Sequence, residues 1–315
     1  MYGFEDFMSY FANHHYCMKT PEKKTREAMA IYFDGVEPER VDLITRKVKA
    51  LGYSIDDTSS SGGYFSFFYR TIKFPFRKNR DTAFHELGHA IDFIAVDKIV
   101  ERVGSRTNTK YNEHYYSSDI ALSTGATLHK TIRQEVKGKI NELYTLLYEA
   151  FHREVLSAFS EDVVKEYMLG RKSCHALKGC RNKYRRIKDK ESAEAKALSQ
   201  EIRRLETLMS EKGYFRAVDK LVDKSPQMKA FDRKYNILSD MLSGYMDTYY
   251  IFIGHSRSYM SSRRGFGCEF FADMFSAETT QNYEALALAE QYFPKSCAAY
   301  RELYGIVRGW ACEAA

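Results

Sequence analysis

The stretch DTAFHELGHAIDF, Asp81 to Phe93, decides the fold and most of the chemistry. Phe84, Leu87, Ile91, then Ile94 or Ala95, and Ile99 recur at helical spacing. Asp81 or Thr82 caps the start and Gly104 is a natural stop, so the pattern predicts one helix between them. On that helix His85 and His89 stand one turn apart and both imidazoles reach a single ion. Glu86 projects about 100° away around the axis. It would border the ion without binding it, which suits a base acting on water whose pKa a Zn²⁺ ion has lowered towards about 7. The plain alternative is an amphipathic helix with two solvent-facing histidines.

Two histidines do not hold a catalytic zinc alone. An extended H-E-x-x-H-x-x-G-x-x-H site needs Gly at 92 and His at 95, where this chain has Asp92 and Ala95, so a third ligand must come from elsewhere. The best candidate is Glu269 in GCEFFADMFSAE (Gly267–Glu278), a carboxylate among apolar neighbours that needs a partner if buried. An exposed helical glutamate is the alternative reading, and Glu278 and Glu284 are weaker rivals. Asp273, one turn after Glu269, is placed to accept the N–H of a liganding histidine.

The rest of the chain is ordinary for a globular protein: 315 residues, 44% apolar and 29% charged, with a formal charge of +6. The six cysteines form no C-x-x-C pair and read as reduced thiols. No signal peptide opens the sequence and no apolar run is long enough to span a bilayer, which places the expectation in a cytoplasm or an assembled particle. Residues 1–60 read as short helices, clearest in VEPERVDLITRKVKALGY, where Pro38 starts a helix with Val41, Leu43, Ile44, Val48 and Leu51 on one face. Asp56 to Gly63 reads as a loop, and YFSFFYRTIKF after it as one strand or a tight pair. Long helices are expected over about Thr131–Phe159 and Tyr184–Lys212, with further helices over 236–253 and 267–310.

AFHELGHAID together with EFFAD resembles the gluzincin class of zinc metallopeptidases, in its lethal-factor-like and Pro-Pro-endopeptidase-like branch. ILSDMLSGYMDTYYIFIGHSRSYM and the C-terminal CEFFADMFSAETTQNYEALALAEQYFPKSCAAYRELY resemble the metallopeptidase-like domains of phage minor head and mobile-element proteins. The likeness covers residues 70–105 and 236–306. It implies zinc at His85, His89 and Glu269, Glu86 as general base and Asp273 orienting a ligand. It further implies that Asp92 secures the local helix or a neighbouring loop. A tyrosine shortly before the third ligand stabilises the oxyanion in that branch; Tyr259, ten residues upstream of Glu269, is the nearest match, and His255 the alternative. A zincin also sets an edge strand beside the metal to pair with an extended peptide. Arg70, Thr71, Ile72 and Lys73 within YRTIKF are the candidates, with a core strand as the alternative.

The fold expectation is α+β, mainly helical: a zincin-like catalytic domain over 1–105 and 236–315, with a small twisted sheet and a helical, coiled-coil-like insertion over 106–235. Within the insertion, KGCRNKYRRIKDK (Lys178–Lys190) carries seven bases against one acid, Asp189. It reads mainly as a solvated helix face, with a protein partner expected for the insert and nucleic acid the less favoured ligand. The expected activity is zinc-dependent cleavage of a peptide or protein. The rivals are a non-enzymatic interaction protein with a structural or vestigial metal site, and a hydrolase acting on a non-peptide amide.

Overall fold

The structure, a computed structural model, describes residues 1–17, 22–56, 63–66, 71–73, 80–94, 115–211, 215–246, 254–255, 257–260 and 265–313. It is mainly helical with a small sheet, and the chain divides into two compact units, Met1–Lys139 with Ser258–Ala315, and Ile140–Arg257.

The first unit opens with α1 (Phe4–Asn13), β1 (His15–Cys17), α2 (Glu22–Phe33) and α3 (Pro38–Leu51). Pro38 occupies the first turn of α3, where its missing N–H costs nothing, and Gly52 ends the helix in the left-handed conformation, φ 66°. Val41, Leu43, Ile44 and Val48 are buried, as their spacing predicts. Strands β2 (Ser54–Asp56), β3 (Tyr64–Ser66) and β4 (Thr71–Lys73) join β1 in a four-stranded sheet of order β1-β2-β4-β3. β1, β2 and β4 run parallel, and β3 pairs antiparallel with β4.

This order corrects the edge-strand expectation. Thr71, Ile72 and Lys73 form an interior strand, hydrogen-bonded on both sides, with Thr71 and Ile72 buried; Arg70 lies outside the described residues. The edge is β3.

The histidine helix α4 runs Arg80–Asp92, and Phe84, Leu87 and Ile91 point into the core. It stops well before Gly104. Phe93 and Ile94 leave the helix as β5, which pairs antiparallel with β6 (Tyr115–Tyr116); residues 95–104 lie outside the described residues. The stop has a tertiary cause. The buried Asp92 carboxylate accepts hydrogen bonds from Ser117 Oγ at 2.5 Å, Ser118 N at 2.9 Å and Ser118 Oγ at 2.9 Å, tying the helix end to the turn that follows β6.

The unit closes with α5 (Leu128–Gly138), then all but the first residue of a short helix α11 (Arg257–Met260), and α12 (Gly265–Thr279), α13 (Tyr283–Tyr292) and α14 (Pro294–Glu313). Almost every side of α12 is covered: Phe270, Phe271, Ala272, Met274 and Phe275 are all buried, and Phe271 meets Tyr300 with ring centroids 5.1 Å apart. A helix apolar all round belongs in a core, so its charged residues are carried inside with it.

The second unit holds α6 (Ile140–Glu154), α7 (Glu161–Arg186), α8 (Ala193–Glu211), α9 (Phe215–Asp223) and α10 (Pro226–Met246). Phe151 of α6 packs edge-on against Phe231 of α10, with centroids 5.5 Å apart. The helix expected over Thr131–Phe159 is therefore two helices. Ile132 and Val136 are buried in one unit, and Leu143, Leu147 and Phe151 in the other, with the break at Lys139. The helix expected from Tyr184 starts later, at Ala193; Tyr184 belongs to α7, which packs on α8 and is joined to it by a turn at residues 187–192. The division at Ile140 and Arg257 differs from the 106–235 insertion read from sequence, because α5 packs on α12 and α14 while α10 joins α6.

Candidate metal centre

Two helices build the site. α4 and α12 cross where Gly88 meets Ala272, and the approach is close: a Cβ on Gly88 would fall 2.7 Å from Ala272 Cα and 3.0 Å from its carbonyl oxygen. Only glycine lets the backbones come this near. Gly88 stands between the two histidines and Ala272 three residues past Glu269, so this crossing carries Glu269 to the imidazole pair across 180 residues of sequence.

Three donor atoms converge there. His85 Nε2 and His89 Nε2 are 3.1 Å apart, and Glu269 Oε2 lies 3.2 Å from the first and 3.5 Å from the second. Donors arranged tetrahedrally at 2.0–2.1 Å around one ion are about 3.3–3.4 Å apart. The triangle matches that edge length, so these residues fit a four-coordinate ion of zinc's size. Glu269 is 1% exposed, a depth at which a carboxylate needs cationic or metal company.

The surroundings fix each donor. Asp273 Oδ1 lies 2.9 Å from His85 Nδ1, so the carboxylate accepts that N–H and turns Nε2 inward. Tyr259 Oη donates to Glu269 Oε1 at 2.8 Å, which leaves Oε2 to face the histidines. Burial works against charge on both His85 and Glu269, but the opposite charges outweigh it. The Asp273 and Glu269 carboxylates hold the His85 imidazole well above its ordinary value, and the His89 and His85 rings hold Glu269 well below the usual carboxylate range. The pocket is thus electrostatically poised around one positive charge at its centre.

Glu86 is buried beside this cluster on α4. Gly63, at the head of the edge strand β3, lies directly against it: a Cβ there would come 2.7 Å from Glu86 Cγ and 2.9 Å from Oε1. Neither this contact nor the Gly88 crossing was read from sequence. Gly88 sits in the middle of the H-E-x-x-H pattern, in a helix interior where glycine costs about 1 kcal/mol relative to alanine, and that local cost was the available signal.

The remaining predicted residues have hydrogen-bond partners of their own. Asp92 binds the 117–118 turn and not the donor triangle. His255 belongs to the second unit, where its Nδ1 and backbone N–H both meet Asp240 Oδ1, at 2.9 and 2.5 Å. Glu278 accepts from Arg40 at 2.5 Å and from Tyr300 at 3.0 Å, a structural cluster that removes it as a rival ligand. Cys174, Cys180, Cys268 and Cys297 are free thiols, and no described helix is long and apolar enough to cross a membrane. No protein-family model, curated protein or solved structure matches the chain.

Proposed function

We propose that the chain is a zinc-dependent endopeptidase of gluzincin type, with His85, His89 and Glu269 as the ligands. The observation that supports this most is the donor triangle of 3.1, 3.2 and 3.5 Å, assembled from two helices that share no local sequence. Zinc held there would supply acidity to a water molecule and polarise a scissile carbonyl.

The chain's own residues account for the rest. Glu86 sits on the helix face next to the two histidines, where a carboxylate takes a proton from the attacking water and returns it to the leaving amine as the C–N bond breaks. The Gly63 backbone passes close to the Glu86 side chain, where a larger residue would leave it no room. β3 is an edge strand among the described strands, and Gly63 just before it adjoins Glu86, so an extended peptide pairing with β3 would pass the base. Asp273 keeps His85 in the tautomer that offers Nε2. We read Tyr259 first as the group that orients Glu269, because its hydroxyl is engaged there. The setting we propose is a cytoplasm or a phage-related particle, with a peptide or protein substrate.

The test is elemental analysis combined with Glu86→Gln. The expected result is one zinc per chain in wild type and in Glu86→Gln, zinc lost in Glu269→Ala, and turnover of a peptide library reduced at least about 10³-fold in Glu86→Gln. Full zinc with no turnover by wild type would favour the non-enzymatic rival. Turnover of simple amides but not peptides would favour the other.

A further inference from the structure

Charge in this chain is not spread evenly. The 24 residues from Tyr167 to Lys190 hold nine bases and one acid, a formal +8, so the rest of a chain of net +6 is slightly acidic. Most of that segment is α7, and between Tyr167 and Lys188 it contains no acidic residue. Gly170, Ser173 and Leu177 form the buried face that packs α7 into its unit; Arg171 beside it is half-buried and paired with Asp223 at 2.5 Å, and the other bases of the helix are exposed. Arg181 is neutralised by Glu206 at 2.6 Å. Lys172, Lys183, Arg185, Arg186 and Lys188 are exposed and, among the described residues, form no ion pair.

The arrangement around the helix axis is more specific than the count. With about 100° between successive residues, Lys178 and Arg185 fall on one flank and Lys172 and Lys183 on the other. Asn182, His175 and Gly179 lie between them, and a Cβ on Gly179 would meet nothing within 4 Å. Two cationic flanks thus border a strip of small and neutral polar side chains in which Arg186 is the one base, over about 21 Å of helix between residues 172 and 186. A flat anionic sheet would touch one flank or the middle at a time. The major groove of B-form DNA is about 12 Å wide, accepts an α-helix, and puts a phosphate backbone along each side. A-form RNA has a major groove too deep and narrow for this.

We propose that the exposed face of α7 binds duplex DNA by entering its major groove, with Lys178 and Arg185 on one backbone, Lys172 and Lys183 on the other, and Asn182 towards the base edges. This surface is independent of the metal centre, and either reading stands if the other fails.

Fluorescence anisotropy of the full chain tests it, with labelled duplex DNA of mixed sequence, the single strand, an RNA duplex, polyglutamate and vesicles of phosphatidylcholine with phosphatidylglycerol. Duplex DNA should bind tightest, with log affinity falling against log salt at a slope of about −4 for four to five phosphate contacts. Lys178→Glu with Arg185→Glu, and separately Lys172→Glu with Lys183→Glu, should each weaken duplex binding at least about tenfold and flatten the slope by about 2. Lys165→Glu, exposed on the same helix but in its acidic first turns, should leave binding unchanged. Equal or stronger binding to the single strand, the RNA duplex, polyglutamate or vesicles overturns the proposal, as does a slope that neither pair alters. The wild-type preference alone decides the matter if a variant fails to fold.

Discussion

Replacing Gly88 with alanine is the sharpest test of how the metal centre is assembled. The new Cβ would stand 2.7 Å from Ala272 Cα, 3.0 Å from the Ala272 carbonyl oxygen and 3.2 Å from its Cβ. Non-bonded carbon atoms settle at about 3.5–4.0 Å, so α4 and α12 must part by about 1 Å. Each helix carries part of the site, and the 3.2 and 3.5 Å separations between Glu269 Oε2 and the imidazoles would open by a similar amount. Donors that share one ion at 2.0–2.1 Å lie at most about 4.2 Å apart, and only when opposite each other, so the carboxylate leaves the coordination sphere. Overpacking of this kind costs about 1–3 kcal/mol of stability. Zinc affinity, measured by competition with a chromophoric chelator, should fall at least about 100-fold, more than the loss of an orienting group alone produces. The melting temperature of the metal-free protein should drop by several degrees. Gly305→Ala is the matched control: that helical glycine faces open space, and alanine there should stabilise by about 1 kcal/mol. Zinc affinity within about threefold of wild type in Gly88→Ala, with an unchanged melting point, would refute the crossing argument.

Three further outcomes follow from particular contacts. Tyr259→Phe removes the 2.8 Å bond to Glu269 Oε1 and should weaken zinc binding about tenfold with little change in melting temperature; a loss confined to kcat would instead make the hydroxyl an oxyanion donor. Glu135→Ala should lower the melting temperature by about 2–4 °C, because the Glu135 carboxylate caps α14, accepting from Lys295 N at 3.0 Å and Ser296 N at 2.9 Å. Lys47 is buried in α3, and burial pushes its ammonium from 10.5 down to about 8, the Asp92 carboxylate only partly offsetting that. A folded pKa below the unfolded one means that holding this proton opposes folding, a penalty of about 3 kcal/mol that is full below pH 8 and fades between pH 8 and 10.5. Lys47→Met should therefore raise stability in urea titrations at pH 7, and the gain should shrink as pH climbs through that window; a constant gain would point to packing alone.

What the sequence made legible was whatever a single helix can encode. His85, Glu86 and His89 are one turn of α4, and their relation follows from 3.6 residues per turn without knowledge of anything else in the molecule. Asp273 could be placed relative to Glu269 for the same reason. The helix end was misread because its cause is remote: nothing between Phe93 and Gly104 signals a stop, whereas Ser117 and Ser118, more than 20 residues on, hold the Asp92 carboxylate that ends α4. The edge strand was misread likewise. Strand order is a property of pairing partners, and TIK between two neighbours reads the same as TIK at a border until β2 and β3 are seen on either side of it.

The glycines mark where this local legibility ends and function begins. Gly63 and Gly88 look like weaknesses in a strand approach and a helix, costs that local preference alone would remove. Each is spent at a point of contact with the chemistry: one leaves room for the Glu86 side chain, the other lets α12 approach near enough for Glu269 to face two imidazoles. A sequence that repaired either position for local stability would keep all four of His85, Glu86, His89 and Glu269 and still lose the proposed site, because those four residues specify the proposed ligands and base while the two absent side chains specify the distances. Metal affinity in Gly88→Ala and turnover at full metal loading in Gly63→Ala should therefore fail separately, the first through the donor triangle and the second through the base.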